Sequence, residues 1–312
     1  MTVTASASSV RAARLRQGGN PWILAARPKT LPAAVVPVCL GSALAFVDGG
    51  FLWFPALICL SFALLIQIGT NFANDYFDFV KGADTEARIG PTRAVAAGLV
   101  TPKQMRRATA GVFGLAILIG ALLLPYGGWW LLVVGLLSVL CGIAYTGGPY
   151  PLGYNGWGDF FVFVFFGLVA TGFTYFVQTG AWSATAWILG CVPGALSANI
   201  LMVNNLRDVE TDRLAGKRTL VVRWGIAYGE YQYLAMWGLA YVVTLYLAWV
   251  LGSLWILLPW LLFAWVLQVS VTLRRSQGRG AGRWGYLLAT TAKLMLLFGA
   301  LLTAGLILAA VF

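Results

Sequence analysis

Long runs of apolar residues, separated by short polar or glycine-containing stretches, recur along the whole chain. About 20 such residues in a helix span the roughly 30 Å of hydrocarbon in a bilayer. The pattern predicts nine transmembrane helices, over 30–47, 53–73, 108–125, 129–147, 159–178, 183–204, 229–250, 254–272 and 287–310. Barrel strands would alternate apolar and polar residues in short dyads, and these unbroken runs do not. The expected class is all-α, a polytopic membrane protein whose helices surround a central cavity. Residues 21–312 are expected to form this single domain. Residues 1–20 are small, polar and arginine-bearing, and lack the apolar core and cleavage pattern of a signal peptide, so they read as a flexible cytoplasmic tail.

Composition supports the class: 60% of residues are hydrophobic and 10% charged, and the mean hydropathy is +0.82, more than a soluble core hides. The charges add orientation. Arg11, Arg14, Arg16, Arg27 and Lys29 precede the first span, and Lys81, Arg88, Arg93, Lys103, Arg106 and Arg107 lie between the second and third. Arg207, Arg213, Lys217, Arg218 and Arg223 follow the sixth, and Arg274, Arg275, Arg279 and Arg283 the eighth. Lys293 is expected one or two turns inside the last span, near the same face. The opposite loops carry no positive charge, so the N-terminus is expected in the cytoplasm and Phe312 outside. Topology thus accounts for the net charge of +11; the expected partner is the lipid bilayer, and nucleic acid is not one. Asn20-Pro21-Trp22-Ile23-Leu24 reads as the start of an interfacial helix, with Trp22 at headgroup depth. The chain has no histidine, which excludes histidine catalysis and most transition-metal sites. Cys39, Cys59, Cys141 and Cys191 fall inside predicted spans without paired spacing and read as packing residues.

The acids carry the chemistry. Asn74-Asp75-Tyr76-Phe77-Asp78, continuing to Asp84, and Asn204-Asn205-Leu206-Arg207-Asp208, continuing to Asp212, repeat Asn-x-x-x-Asp at the end of an apolar helix before a basic loop containing glycine. Four predicted spans separate the copies, which predicts a parallel 4+4 repeat plus one helix. On a helix Asp75 and Asp78 are i, i+3, and Asp208 and Asp212 i, i+4, so each pair projects from one face about 5–6 Å apart. Like charges at about 4 Å repel by about 1 to 4 kcal/mol, which calls for a counter-ion. Carboxylates with few protein ligands suit Mg²⁺ when substrate phosphates complete its octahedron. Lys81, Arg88, Arg93, Arg207, Lys217 and Arg218 are available to neutralise a diphosphate of roughly −3 charge.

Acids followed by basic residues also mark ordinary membrane boundaries, but two copies that absorb most of the chain's acids go beyond that use. Glu86 and Glu210 read as solvated loop charges, and Asp159 as a helix N-cap. An ion-coupled transporter would set its acids near the mid-plane on broken helices. Phosphatidyl transfer of the CDP-alcohol family would show a single compact Asp, Gly, Ala and Arg motif, which this sequence lacks.

At these residues the chain resembles the UbiA superfamily of intramembrane aromatic prenyltransferases. Arg27-Pro28-Lys29-Thr30-Leu31-Pro32, the stretch from Asn74 to Asp84, Gly90-Pro91-Thr92-Arg93-Ala94-Val95, Ala144-Tyr145-Thr146-Gly147-Gly148-Pro149-Tyr150-Pro151 and the stretch from Asn204 to Asp212 look most like its branch acting on 1,4-dihydroxy-2-naphthoate. Asp84 comes six residues after Asp78, where the general superfamily form has four; the quinone branch shares the wider gap. The resemblance implies a bacterial plasma-membrane enzyme with Mg²⁺ as cofactor, and polyprenyl diphosphate and 1,4-dihydroxy-2-naphthoate as substrates. A UbiA-type enzyme for another aromatic acceptor is the nearest alternative. It further implies that Asp75, Asp78 and Asp84 hold one Mg²⁺-diphosphate half and Asp208 and Asp212 the other. Asn74, Asn204 and Asn205 would orient carboxylates or touch the diphosphate, and Lys81, Arg93, Arg207 and Lys217 neutralise it. Tyr145, Tyr150 and Tyr76 would line the cavity and face an allylic cation. The electron-rich ring would attack C1 of that cation, aided by an aspartate of the second motif as base. The tail would need an apolar tunnel, with Gly111, Gly114 and Gly120 permitting close packing.

Overall fold

A computed structural model describes residues 20–84, 90, 92–276 and 280–312, and among them every regular element is a helix. After a short helix at Pro21–Ala26 come α1 (Pro32–Val47), α2 (Trp53–Val80), α3 (Pro102–Ala121), α4 (Trp130–Ala144), α5 (Gly158–Thr179), α6 (Ala184–Leu214), α7 (Ile226–Val250), α8 (Leu254–Arg274) and α9 (Ala281–Val311). Of these α2 and α5 to α9 are six helices long and apolar enough to cross a membrane, and α1 passes with the Pro21–Thr30 segment, from which it bends by 50°. α3 opens with Lys103, Arg106 and Arg107, and α4 is only 15 residues long. The protein is therefore helical and multi-pass. Exposed Leu118, Leu137, Leu140 and Leu261 give it the apolar exterior that lipid requires.

α6 is the hub, packed against α7, α5, α9 and α1. Its Leu196, Met202 and Leu206 share a core with Tyr233, Trp237 and Phe298. Backbones meet where α5 crosses α6: a Cβ on Gly167 would lie 2.6 Å from both the Gly190 carbonyl oxygen and Gly194 Cα. Such small-residue crossings replace hydrophobic attraction as the source of helix packing in lipid. α5 passes through a π turn, Val164–Val169, at this crossing. α9 returns against α1, with Gly299 beneath Val36.

Several sequence expectations move. α2 and α6 run on past the apolar runs to Val80 and Leu214, which moves the span ends and puts Asp75, Asp78, Asp208 and Asp212 on helices, as their i, i+3 and i, i+4 spacings expect. Their polar side chains find buried partners there, which hydropathy alone does not register. α9 starts at Ala281, which puts Lys293 more than three turns along; this exposed lysine holds its Nζ 5.3 Å from the Trp265 ring centroid. Gly111 and Gly114 face open space, and only Gly120 borders a neighbour, Phe62. Apart from Asn20, the expected tail lies outside the described residues, as do Glu86, Arg88 and Arg279.

Candidate active site

The two acidic helices end in the same way. α2 closes at Gly82 (φ +69°), with the Ala83 N–H donating to the Asp78 carbonyl at 2.9 Å; α6 closes at Gly216 (φ +72°), with the Lys217 N–H donating to the Asp212 carbonyl at 2.8 Å. Glycine takes the left-handed turn that satisfies the last carbonyls. Asp78 and Asp212 thus hold matching places before their glycines. The sequence repeat matches Asp78 instead with Asp208, one helical turn earlier on α6.

Asp78 is the centre of the cluster, 2% exposed. Its carboxylate accepts from Arg93 Nη2 at 3.0 Å and from the Tyr154 hydroxyl at 2.7 Å, and lies 3.3 Å from Lys217 Nζ. Arg93 Nε also reaches Asp84 at 3.4 Å, and Lys217 reaches Asp212 at 3.7 Å. One lysine therefore bridges the two motifs. Tyr154 lies between two cations, with Lys81 Nζ 4.8 Å and Lys217 Nζ 4.7 Å from its ring centroid. Burial, then the Asp78 charge, holds its phenol well above the usual tyrosine range. Burial lowers the Lys81 ammonium, with Asp78 opposing and Lys217 adding.

The loop that delivers Tyr154 is tied at both ends. Lys81 donates to the Thr146 carbonyl at 2.7 Å, and the Thr146 hydroxyl donates to Asn74 Oδ1 at 2.8 Å. On the other side the Arg218 N–H donates to the Tyr154 carbonyl at 2.6 Å, and Arg223 to the Asn155 carbonyl at 2.8 Å. Asp75, at the wall of the neighbouring polar cavity, accepts the Ala94 and Val95 N–H groups at 3.0 and 3.2 Å and so fixes the segment that carries Arg93. Arg207 grips Asp208 through two bonds, 2.7 and 2.6 Å.

A cavity of about 390 Å³ opens beside this cluster, lined by Arg27, Lys29, Asp75, Arg93, Asn204 and Arg207 among others. Arg27 is the only non-glycine residue with positive φ (+52°) among the described residues. The helix N-capped by Asn20 stops at it, and Pro28 starts a 3₁₀ turn. Asn71 Nδ2 donates to the Ala26 carbonyl at 2.9 Å and Gln67 Nε2 to the Thr30 carbonyl at 3.3 Å, so α2 braces the strained turn. Strain of this kind persists where surroundings over-determine it, as at ligand sites.

A second cavity, about 150 Å³, is apolar and is walled mainly by α2, α4 and α5, with α1 and α3 at its edges, running from Tyr145 and Thr70 to Leu123 and Val177. Phe62, Gly120 and Gly135 stand in its wall. Gly153 and Gly158 crowd the Tyr145 ring and hydroxyl, leaving no room for a Cβ.

The expected residues divide accordingly. Asp78, Asp84, Asp212, Arg93 and Lys217 converge on one ion cluster, and Asp75, Asn204 and Arg207 line the polar cavity. Lys81 and Asn74 bind the loop. The Asn204 side chain donates to the Ile200 carbonyl on its own helix at 3.1 Å, and Asn205 is buried. Tyr145 borders the apolar cavity, but Tyr150 is 58% exposed and Tyr76 packs on the Ala94 and Val95 cluster, so neither lines a described cavity. Asp159 is no N-cap; it is buried and accepts from Gln232 Nε2 at 2.8 Å. Tyr154, a centrepiece of the cluster, was missed. Its only signal was its place in a glycine-rich loop between the motifs.

No three acids among the described residues lie close enough to cage a metal alone. Mg²⁺ needs only one or two carboxylates when phosphate oxygens supply the rest. The all-oxygen donors, with buried Arg93 Nη1 lacking any hydrogen-bond partner, fit a metal that arrives with an anion.

The UbiA prenyltransferase family matches residues 34–284. The chain is 39% identical to 1,4-dihydroxy-2-naphthoate octaprenyltransferase of Mycobacterium tuberculosis (strain ATCC 25618 / H37Rv) over 223 residues, 72% of this chain and 76% of that protein. It is 37% identical to the protein of that name in Escherichia coli (strain K12), over 75% of this chain and 78% of the relative. Among solved structures, a UbiA homolog from Archaeoglobus fulgidus bound to GPP and Mg²⁺ superposes with a TM-score of 0.63 at 14% identity, covering 91% of this chain and 99% of that one. With its fold, its acidic helix ends and these relatives in agreement, the chain belongs to the UbiA prenyltransferase family.

Proposed function

We propose that this prenyltransferase moves a polyprenyl group from polyprenyl diphosphate to 1,4-dihydroxy-2-naphthoate, with loss of CO₂ and diphosphate, giving demethylmenaquinone. The observation that carries the reading is Lys217 drawn between Asp78 and Asp212, which makes one anion-and-cation site from two distant motifs. The naphthoate acceptor rests on the relatives of that name. Asp78 and Asp212, with Asp84 and Asp75 beside them, would hold Mg²⁺, which would draw negative charge onto the departing diphosphate. Asp208 holds the Arg207 guanidinium at the cavity wall. Arg93, Arg207 and Lys217 stabilise the charge that develops on the leaving group. Arg27 and Lys29 offer cations to the acceptor's carboxylate, and the apolar cavity takes the prenyl tail, with Tyr145 at its polar end presenting a ring to the allylic carbon. Nine spans in a 4+4+1 bundle, a cytoplasmic N-terminus and site, and Phe312 outside complete the reading.

The deciding experiment incubates purified protein with radiolabelled polyprenyl diphosphate and dihydroxynaphthoate, with and without EDTA, beside Asp78→Asn and Asp212→Asn, with 4-hydroxybenzoate as the rival acceptor. Naphthoate product that vanishes on chelation and in both variants is expected. Product indifferent to all three overturns the mechanism, and preference for 4-hydroxybenzoate overturns the acceptor.

A further inference from the structure

The carboxylates that suit a metal are already engaged by the chain's own cations. Lys217 Nζ lies 3.3 Å from Asp78 and 3.7 Å from Asp212, and Arg93 joins Asp78 to Asp84 at 3.0 and 3.4 Å. All of these groups are largely shielded from water, with side-chain exposures from 2% to 13%. Buried carboxylates without counter-ions are strongly destabilised, so these two cations help to hold the helix ends together. A divalent ion seated between Asp78 and Asp212 would confront the Lys217 ammonium at short range, and the like charges would repel. Lys217 must then find another anion. Diphosphate supplies it, and Arg93 Nη1, buried without a hydrogen-bond partner in the wall of the polar cavity, is a donor ready for the same ligand. The Tyr154 ring, 4.7 Å from Lys217 Nζ, offers the ammonium an electron-rich face beside the carboxylates it would leave.

We propose that Lys217 and Arg93 are exchangeable counter-ions, held by the aspartates at rest and handed to the diphosphate on binding, so that metal and diphosphate enter together and each binds poorly alone. The proposal rests on the prenyl diphosphate reading of the same site. It makes or breaks no covalent bond. Its signature is a pair of opposite effects. Removing the lysine takes the metal's competitor away from Asp78 and Asp212 and a cation away from the diphosphate, whereas loss of a mere structural strut weakens both ligands.

The test uses the full chain in detergent, with Mn²⁺ as the metal probe, its free fraction read by electron paramagnetic resonance. Radiolabelled inorganic diphosphate is then bound at saturating Mn²⁺. In Lys217→Met, Mn²⁺ alone is expected to bind about tenfold more tightly and diphosphate about tenfold more weakly, a coupling of ordinary size. Arg93→Met is expected to move both in the same directions, and Lys217→Arg to stay near wild type. Mn²⁺ affinity unchanged or weakened in both Met variants overturns the exchange. Turnover of the wild type on the same preparation separates the two claims. An active enzyme without the opposite shifts sinks the exchange and leaves the prenyltransfer reading, and opposite shifts without turnover do the reverse.

Discussion

Asp78 and Asp212, the matching acids of two helices that end in the same glycine turn, lie on either side of a single ammonium, 3.3 and 3.7 Å from Lys217 Nζ. The lysine's backbone N–H also caps the Asp212 carbonyl, so one residue both ends α6 and joins it to α2. The two motifs meet because the loop after α6 folds back toward the end of α2 and brings Lys217 between them.

Tyr154 tests how that site is held. Its hydroxyl donates to Asp78 and its ring faces two ammoniums. Tyr154→Phe keeps the ring and loses one charge-assisted hydrogen bond of about 1.5–3 kcal/mol, so prenyl transfer is expected to fall about tenfold or more. Tyr154→Ala also loses the ring contacts and is expected to fall further. Equal rates for Phe and Ala would show that the ring contributes nothing.

Arg27 separates strain from function. Arg27→Gly and Arg27→Ala both remove the guanidinium from the polar cavity, and both are expected to lose naphthoate turnover. Only alanine keeps a Cβ in the left-handed turn, at a cost of about 1–2 kcal/mol. Arg27→Gly is therefore expected to melt at the higher temperature of the two, the reverse of the usual order in which glycine loses stability through the unfolded chain. A lower melting temperature for glycine would deny the strain.

Much of this was legible in the sequence, for reasons that lie in lipid. Apolar runs must be helices where no water satisfies the backbone, and scarce acids such as Asp75, Asp78, Asp208 and Asp212 stand out against them. What escaped were features set by partners far along the chain. Spacing put the acids on helices, but hydropathy could not show that α2 and α6 run on to Val80 and Leu214 or that Asp75 is satisfied by the Ala94 and Val95 N–H groups. Spacing aligned Asp78 with Asp208, but the glycine turns align it with Asp212. Tyr154, Tyr150 and Tyr145 share one loop and one chemistry. Only its folding between Thr146 and Arg218 turns the first toward Asp78 and leaves the second on the surface.

The α5–α6 crossing is predicted to be intolerant of a single methyl. A Cβ on Gly167 would stand 2.6 Å from the backbone of α6, which cannot step aside as a side chain could. Gly167→Ala is expected to destabilise by about 1–3 kcal/mol, the usual range for overpacking. Gly111→Ala, in mid-helix with nothing within 4 Å, is expected to hold or raise the melting temperature, since alanine is the better helix former by about 0.5–1 kcal/mol. Thermal unfolding in detergent compares the two, and equal melting temperatures would rule out the close crossing.

The apolar cavity can be closed from one wall. A Cβ on Gly135 would meet Ile117 at 3.7 Å and Phe62 at 3.8 Å, ordinary contacts, so the backbone accepts a side chain that then grows into the cavity. Gly135→Leu fills space between Tyr145 at one end and Leu123 and Val177 at the other. If the tail lies there, a long polyprenyl diphosphate loses its place and a five-carbon allylic diphosphate, which reaches only the polar end, does not. The expected result is a drop of at least about tenfold in kcat/KM for the long donor, with the short one little changed, since each buried methylene contributes about 0.8 kcal/mol. Competition between the two donors in one reaction reads the ratio directly, and a ratio equal to wild type would place the tail elsewhere.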